Sequence, residues 1–413
     1  MSQQTSEHVR IDDDIPQFPT PRESACPFLP TPEIRELIDD GVVLSKARTW
    51  DGRTPWLVTT HAAQRAIMSD PRVSANDHLD GFPHPTQAQA ETIDQRPKTI
   101  FDSDGADHAR LRRMLTSSFT RGRMEKIRPK IQEATDNLID ELLAGPNPTD
   151  LVEALALPLP SLMICDLLGV PYEDHDFFQE HAKVANAREA SAEENGKAMR
   201  ILNGYVTELI EKKITNPEED VVSDLGKRVT AGDLGLPDAA MLGMILLIAG
   251  HETSANMITL GTALMLRNPD QLAVFRDLTE RADIAKAVEE LLRYLTIPHL
   301  LQRRIAIEDI DYDGQVIKAG DGIIAPLPAA NFDPVAFPDP QRLDVTRDAR
   351  HHHAFGWGPH QCIGQQLARI ELEVVYETLF RRIPTLEIAV GFESLKFKGD
   401  SLAYGIYELP VRW

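Results

Sequence analysis

The chain has 413 residues, carries a formal net charge of −21 at pH 7 and contains three cysteines. An excess of acidic groups argues against nucleic acid or an anionic membrane as the main partner, because both attract Lys and Arg. The cysteines are Cys26, Cys165 and Cys362, which lie far apart without a CxxC pair, so neither a disulfide framework nor a zinc ribbon is expected. A reducing, cytoplasmic compartment is the expectation.

The first 20 residues are polar and acidic and include Pro16 and Pro19. They predict an extended segment ahead of a single domain over residues 21–413. This segment lacks the basic and apolar parts of a signal peptide, so we do not expect secretion.

Helical periodicity dominates the remaining chain, with apolar residues recurring at three- and four-residue spacing. The predicted helices cover residues 106–119, 121–143, 199–214, 237–267, 284–295 and 363–383. The apolar run inside the fourth of them is about twelve residues long, whereas a bilayer span needs about 20. We therefore predict a buried core helix there and no membrane contact.

Strand patterns are short and clustered, which predicts a mainly α fold with small β-sheets. The predicted strand regions are 56–59, 305–324 around an Asp313-Gly314 turn, and 403–413. The polar segment 75–98 predicts a long loop. The proline-rich segment 325–340 predicts a coil packed on the core through Phe332, Val335 and Phe337.

The most informative stretch is FGWGPHQCIG at residues 355–364. Two glycines before Cys362 and one after it permit φ > 0 and close approach of the backbone to a flat ligand. The cysteine falls at the start of a predicted helix, a position that favours a metal-binding thiolate. On these residues alone a buried structural cysteine stays open, and so does zinc, although the histidines at 351–353 and His360 match no common four-ligand spacing.

The pattern FGxGxHxCxG resembles the haem-binding signature of the cytochrome P450 superfamily, and the chain is similar to its soluble bacterial, actinomycete-type members. The resemblance implies the P450 fold, with a triangular helical body, a long central distal helix and a proximal thiolate loop. It implies haem b (iron protoporphyrin IX) as the cofactor. Cys362 would bind the iron, Phe355 would shield the sulfur, and His360 would reach a propionate. Gly356 and Gly364 would belong to the same cofactor-binding loop.

A second motif of the family is ExxR. Glu290 and Arg293 lie at i and i+3 of the predicted helix 284–295, about seventy residues before the cysteine. A surface ion pair would give the same pattern. The resemblance implies a buried scaffold pair instead, linked to a further arginine, for which we expect Arg342.

A third motif is AGHET at residues 249–253, which places polar groups inside an apolar helix. A satisfied polar network in the core would also explain it, although Gly costs a helix about 1 kcal/mol relative to Ala. The resemblance implies the oxygen-activation element of the family. Ala249 and Gly250 would then lie at the cofactor, and Glu252 and Thr253 would be the catalytic proton relay.

The fourth motif places His108 and Arg112 at i and i+4 of one helix. A basic helix surface would explain it, whereas the resemblance implies propionate contacts from both, with Arg304 supplying a further one. Two departures from the family pattern stand out. The chain reads DGADH at 104–108 where DPPEH is usual, and Phe332 replaces the arginine of ANRDP.

The resemblance implies a monooxygenase that inserts one oxygen atom from O2 into a hydrophobic small molecule, by C–H hydroxylation or epoxidation, in natural-product tailoring or xenobiotic oxidation. Electrons would come from a ferredoxin and an NAD(P)H-ferredoxin reductase, docked near Arg110 and Arg113. The residues expected in the substrate pocket are Ile245, Ala249, Pro298, His299, Leu300, Leu301, Leu402 and Ala403.

Two other functions use the same fold, namely a peroxide-driven peroxygenase and a nitric-oxide reductase. Such proteins typically lack an acid–alcohol pair, so the presence of Glu252 and Thr253 disfavours both. A haem sensor without catalytic activity is the alternative from a different class.

Overall fold

The computed structural model of the chain describes residues 9–10, 15–20, 22, 26–95, 98–174, 177–178, 180–181, 184, 192–298, 302–399, 401 and 403–413. Its residues form two compact units. Unit 1 comprises Met1–Ala109, Asn268–Cys362 and Phe397–Gly405. Unit 2 comprises Arg110–Arg267, Ile363–Lys396 and Ile406–Trp413.

The helices of the described chain are numbered here in chain order. They are α1 (Pro32–Asp39), α2 (His61–Met68), α3 (Gln87–Thr92), α4 (Gly105–Thr116), α5 (Arg121–Ala144), α6 (Pro158–Leu168), α7 (Ala192–Thr215), α8 (Val221–Thr230), α9 (Leu236–Arg267), α10 (Pro269–Arg276), α11 (Arg281–Leu295), α12 (Leu327–Asn331) and α13 (Gln365–Arg382).

The strands are two to four residues long. They are β1 (Val9–Arg10), β2 (Leu44–Lys46), β3 (Trp56–Val58), β4 (Val73–Ser74), β5 (Thr149–Asp150), β6 (Arg303–Ala306), β7 (Ile310–Tyr312), β8 (Gln315–Ile317), β9 (Gly322–Ile324), β10 (Glu387–Ile388) and β11 (Pro410–Arg412).

Unit 1 is built on a six-stranded mixed sheet in the order β1-β2-β3-β9-β6-β4, beside the hairpin β7-β8. Alternate side chains of β3 and β9 pack into a core that includes Leu44, Val58 and Ile323. The hairpin turns at Asp313 and Gly314, with φ of 52° and 77°. Positive φ at both central residues is the geometry of a type I′ turn, as the Asp-Gly pair predicts.

The described part of the N-terminal segment belongs to this sheet. Strand β1 pairs in parallel with β2, and Gln17 forms an isolated bridge with Arg48. The side chain of Phe18 is buried against unit 1, next to Ile34 and Leu57.

Unit 2 is helical apart from the small sheet β10-β11-β5. Its central element is α9, a helix of 32 residues that contacts α6, α7, α8 and α13. By length and composition alone α9 could cross a membrane, but 67% of its most apolar window is buried inside the structure. Gly261 lets α13 approach closely, because a Cβ there would lie 2.0 Å from the hydroxyl oxygen of Tyr376.

The six predicted helices are confirmed, with ends that differ by a few residues, the largest shift being the start of α7 at Ala192. The loop prediction for 75–98 is wrong in part, because α3 lies inside it. The strand prediction for 403–413 holds only for β11. In the segment 325–340, Phe332 and Phe337 are buried as predicted, whereas Val335 is 92% exposed.

Candidate active site

The cysteine loop of unit 1 makes a tight turn that requires glycine at two positions. Gly356 and Gly358 have φ of 72° and 82°, a region that other residues rarely adopt. A Cβ on Gly358 would also lie 2.3 Å from the carbonyl oxygen of Met68. The backbone N–H of Cys362 donates to the Phe355 carbonyl at 2.9 Å. The turn therefore closes on itself and leaves Cys362 exposed.

Two details of this loop differ from the sequence prediction. Gly364 has an ordinary negative φ of −79° and is the N-cap of α13. The helix begins at Gln365, so Cys362 precedes the N-cap by two residues instead of opening the helix. The strain-relieving glycines are the two that come before the cysteine.

The predicted propionate residues of unit 1 lie together. The rings of His108 and His360 are 4.0 Å apart, and His360 Nε2 lies 3.8 Å from Asp104 Oδ1. Burial opposes ionisation of Asp104, but the nearby His360 and hydrogen bonds from the Ser74 hydroxyl and the Ala75 N–H lower its pKa to about 2. Asp104 is common to DGADH and DPPEH, so the departure lies in Gly105, Ala106 and Asp107, and Gly105 takes a φ of 53° that proline cannot adopt.

Arg304 gives the clearest test of whether these residues fit a haem. Its side chain is 8% exposed, and burial lowers its pKa to about 10 against the opposing charge of Asp104. One of its five N–H groups donates to the Arg303 carbonyl at 2.7 Å. A buried guanidinium with donors left over suits a carboxylate such as a propionate, which would compensate its charge. The residues present fit the group.

Arg112 and Gly364 belong to unit 2. Arg112 is half-buried on α4, one turn after His108 in the same helix.

The ExxR pair is a fully buried ion pair in unit 1. Arg293 Nε and Nη2 donate to the two oxygens of Glu290 at 2.7 and 2.8 Å, and both side chains are 0% exposed. The prediction that Arg342 completes the group is wrong. Arg347 Nε donates to Glu290 at 3.2 Å, while Arg342 is exposed and offers only its carbonyl oxygen to Arg347.

A chain of hydrogen bonds leads from this pair to the cysteine loop. Arg293 Nη1 donates to the Asn331 carbonyl at 2.8 Å. The side-chain oxygen of Asn331 accepts from the His353 N–H at 2.6 Å, and the His353 carbonyl accepts from the Gly356 N–H at 2.8 Å. The ion pair therefore fixes the start of the loop that carries Cys362.

Phe332, the second departure, packs against the same arginine. Its ring lies 5.2 Å from the Arg293 guanidinium and 5.3 Å from the Tyr294 ring. Phe337 covers Arg293 at 5.3 Å. Aromatic faces thus surround the guanidinium where its hydrogen bonds do not.

In unit 2, helix α9 is buried except along one stripe. Ala249 is exposed, and Ile245, Glu252 and Thr253 are half-buried, at the spacing of one helix face. Thr253 Oγ1 donates to the Ala249 carbonyl at 2.8 Å. Gly250 lets Ile164 approach, since a Cβ there would lie 3.0 Å from its Cδ1. A core helix thus presents an acid and an alcohol on its accessible face.

The residue after this stripe links α9 to α13 through a group that the sequence analysis missed. Ser254 Oγ donates to Glu371 Oε2 at 2.7 Å, and Glu371 is 1% exposed. Burial raises the pKa of Glu371 to about 8, with the Ser254 hydrogen bond opposing. The sequence carries a signal for it, because Glu371 shares a helix face with Leu367 and Val374, where an acid interrupts the apolar pattern.

The predicted pocket residues divide between the units. Ile245 and Ala249 lie on the α9 stripe. In unit 1, Pro298 is half-buried and Ala403 is buried. His299, Leu300, Leu301 and Leu402 lie outside the described residues.

An exposed cysteine and a buried, donor-rich guanidinium in one unit suit a flat anionic cofactor better than a small ion. Zinc would need further ligands, whereas the histidines at 351–353 make other contacts. His352 binds Glu289 at 2.8 Å, and the rings of His351 and Phe337 stack at 4.3 Å.

Comparison with known proteins identifies the family. A sequence model described as Cytochrome P450 matches residues 63–385. Cytochrome P450 CYP105Q4 of Mycobacterium marinum is 52% identical, over 97% of this chain and 96% of that protein. Cytochrome P450 GfsF of Streptomyces halstedii is 50% identical over 97% of both chains.

Solved structures agree. The crystal structure of GfsF has a TM-score of 0.91 over 96% of this chain and 100% of that one. MycCI of Micromonospora griseorubida, a mycinamicin VIII C21 methyl hydroxylase bound to mycinamicin VIII, is 37% identical, with a TM-score of 0.87 over 97% and 100%. The chain belongs to the cytochrome P450 family. It is a P450 monooxygenase of the bacterial type, and its family cofactor is haem.

A comparison of two substitutions, one at Arg347 and one at Arg342, tests which arginine completes the ion-pair group. Arg347→Met should lower the free energy of unfolding by about 3 kcal/mol, because it removes compensation from the buried Glu290 carboxylate. Arg342→Met changes an exposed side chain and should stay within about 0.5 kcal/mol. Urea denaturation of the holoprotein, followed by circular dichroism, measures both. A larger loss of unfolding free energy for Arg342→Met than for Arg347→Met would show that Arg342 pairs with Glu290.

His353 predicts a pH dependence of stability. It is 0% exposed and stacks on His61 at 4.1 Å, and burial, aided by the nearby His61, lowers its pKa to about 2. An unfolded histidine titrates near 6.5. Below that pH the unfolded chain binds a proton that the folded chain excludes, so stability falls by up to about 1.4 kcal/mol per pH unit.

His353→Leu should therefore flatten the fall of stability between pH 7 and pH 5. His181→Leu, which removes a histidine of unit 2, is the control and should keep the original slope. Denaturant midpoints at half-unit pH intervals give both slopes. Parallel slopes for His353→Leu and the unchanged protein would show that another group governs the acid transition.

Proposed function

We propose that this P450 monooxygenase carries haem b and inserts one oxygen atom of O2 into a hydrophobic natural-product scaffold, by C–H hydroxylation or epoxidation. The accessible stripe of α9 carries the proposal, because it sets Ile245 and Ala249, two apolar side chains, beside Glu252 and Thr253. Apolar side chains suit a hydrophobic ligand, and the pair of polar groups suits proton transfer. MycCI, a relative, acts on mycinamicin VIII.

The haem, when bound, supplies the redox chemistry, and thiolate ligation favours cleavage of the O–O bond. The protein supplies ligand, anchors and proton control. Cys362 is the proposed iron ligand, with Phe355 beside its sulfur. His108, Arg112, His360 and Arg304 are the proposed propionate anchors.

Glu252 and Thr253 are the proposed proton relay. The Thr253 hydroxyl donates to the Ala249 carbonyl, which leaves its oxygen lone pairs to accept a hydrogen bond from a proton donor in the pocket. Glu252 lies one residue before it and can exchange protons with solvent, since its side chain is half-buried. The pair favours a monooxygenase over a peroxygenase or a nitric-oxide reductase, because such proteins typically lack an acid–alcohol pair.

Cys362→Ser tests the haem-thiolate proposal. The unchanged holoprotein should give the red-shifted Soret band of a thiolate-bound haem when it is reduced and exposed to carbon monoxide. Cys362→Ser should lose that band, whereas Cys26→Ser, a partly buried cysteine elsewhere in unit 1, should keep it. A band that survives in Cys362→Ser would assign the ligand to another residue.

We further propose a ferredoxin, itself reduced by an NAD(P)H-dependent reductase, as the electron donor in the cytoplasm. The proposed docking residues are Arg110 and Arg113 on α4. Arg110 Nη2 lies 3.5 Å from Asp238 Oδ2, so its charge is partly compensated, and Arg113 is exposed. Arg113 is the more exposed of the two and is therefore the residue chosen for charge reversal.

Charge reversal tests this docking site. Arg113→Glu should slow reduction by ferredoxin about tenfold at low salt and weaken its dependence on ionic strength. Arg228→Glu on α8, where Arg228 lies 3.5 Å from Asp233, reverses a charge elsewhere in unit 2 and serves as the control. Stopped-flow reduction rates give the comparison. Equal rates for both variants would place the docking site elsewhere.

A further inference from the structure

Arg22 ends an N-terminal strap, which we define as residues 15–20 and 22. Its guanidinium donates to the Leu295 carbonyl at 3.3 Å and to the Thr296 carbonyl at 3.2 Å. A third carbonyl group, that of Pro27, accepts a hydrogen bond from it at 3.5 Å. Leu295 is the last residue of α11. Arg22 therefore places a cation on the carbonyl groups that a helix C-terminus leaves without partners in the helix.

The same guanidinium contacts a third segment of unit 1. It lies 4.1 Å from the ring centroid of Tyr404, a cation–π contact. The Tyr404 ring is 1% exposed, and the Tyr404 N–H donates to the Ile297 carbonyl at 2.9 Å. Arg22 and this backbone bond together tie the exit of α11 to the C-terminal turn.

The two tied segments continue directly into residues of the proposed substrate pocket. Pro298 follows Ile297, and Ala403 precedes Tyr404. We propose that Arg22 is a positioning residue that sets substrate selectivity by holding these two segments in register. The inference rests on the proposed function, which assigns Pro298 and Ala403 to substrate contact.

The contacts of Arg22 require both the charge and the forked shape of an arginine side chain. Burial lowers the pKa of Arg22 to about 10, so it stays charged at neutral pH, and its charge is compensated by carbonyl oxygens and an aromatic face. Lys would keep the charge but lose the fork that reaches two successive carbonyls. Thr296 has φ of 44°, a strained conformation for a β-branched residue. Loss of Arg22 would let this strained exit relax.

The strap has its own anchors, so a change at Arg22 need not detach it. Phe18 is buried, and its N–H donates to the Arg48 carbonyl at 2.8 Å. Further back, Arg10 forms ion pairs with Glu36, at 3.0 Å, and with Asp40. Arg10→Met is therefore a matched control, because it removes an arginine of the N-terminal segment that does not reach α11 or Tyr404.

Two spectral ligands separate pocket shape from the rest of the protein. Imidazole is small and reports on access to the haem, whereas 4-phenylimidazole must also fit its aryl group against the pocket walls. Arg22→Met should change the ratio of the two dissociation constants at least about threefold, since small displacements of positioned groups carry large effects. The imidazole constant itself should stay within about twofold, and Arg10→Met should leave the ratio unchanged.

Tyr404 variants complete the test. Tyr404→Leu should reproduce the effect of Arg22→Met, and the double variant should add nothing, because both changes break one contact. Tyr404→Phe keeps the ring and should leave the ratio of the two dissociation constants unchanged. Each variant is first checked for the carbon monoxide band, so that failure of the haem-thiolate proposal is seen separately. An unchanged ratio in Arg22→Met with an intact band would overturn the inference, as would an equal change in Arg10→Met.

Discussion

The buried ion pair between Glu290 and Arg293 is the constraint on which unit 1 depends. Removing two charges from water costs several kcal/mol for each ion, and mutual attraction repays it only with good geometry and further hydrogen bonds. Here the pair is bidentate, and Glu290 also accepts from Arg347 and from the Asp344 N–H at 3.1 Å. Such a group is stable in one arrangement only. The hydrogen bonds from Arg293 to Asn331, and from His353 to Asn331, therefore hold these two residues in fixed positions.

The rigid ion-pair group holds the cysteine loop in one conformation. Its two left-handed glycines make a turn with little conformational preference of its own, since glycine gives up more backbone freedom on folding than other residues. The hydrogen bonds from Arg293 through Asn331 to His353 fix one end of the turn. A scaffold far from any chemistry can thereby set the position of Cys362, which local sequence alone would leave loose.

The sequence was sufficient to predict features whose determinants are local. It was insufficient where two similar residues could fill the same position and only the folded chain decides between them. Periodicity located α9 and α13, and the Asp313-Gly314 pair fixed the hairpin turn. Arg347 and Arg342 are five residues apart in one irregular segment, and only the folded path of that segment decides which side chain reaches Glu290. Helix α3 was missed because its sequence, QAQAET, has no apolar face.

The sequence did not show what Glu371 and Phe332 contact, for a related reason. Both depend on a neighbour in the fold: Ser254 for the carboxyl group and Arg293 for the ring. A motif search compares residues with a family pattern and not with their packing partners, so the substitution in ANFDP looked like a loss. In the folded chain the Phe332 ring covers the guanidinium of Arg293.

The net charge of −21 acquires a more specific meaning once the arginines are located. Among the described residues, burial withdraws seven acids and three cations from the outer surface: Asp102, Asp220, Glu289, Glu290, Asp333, Glu371 and Glu373 on one side, and Lys213, Arg293 and Arg304 on the other. The surface is therefore less acidic than the composition suggests, although it keeps an acidic excess that would repel the proposed ferredoxin at long range. At physiological ionic strength the screening length is about 8 Å, so the repulsion fades and only charges at the contact decide. In the proposed docking of a ferredoxin, an exposed arginine such as Arg113 would then decide where the acidic partner binds on an acidic protein.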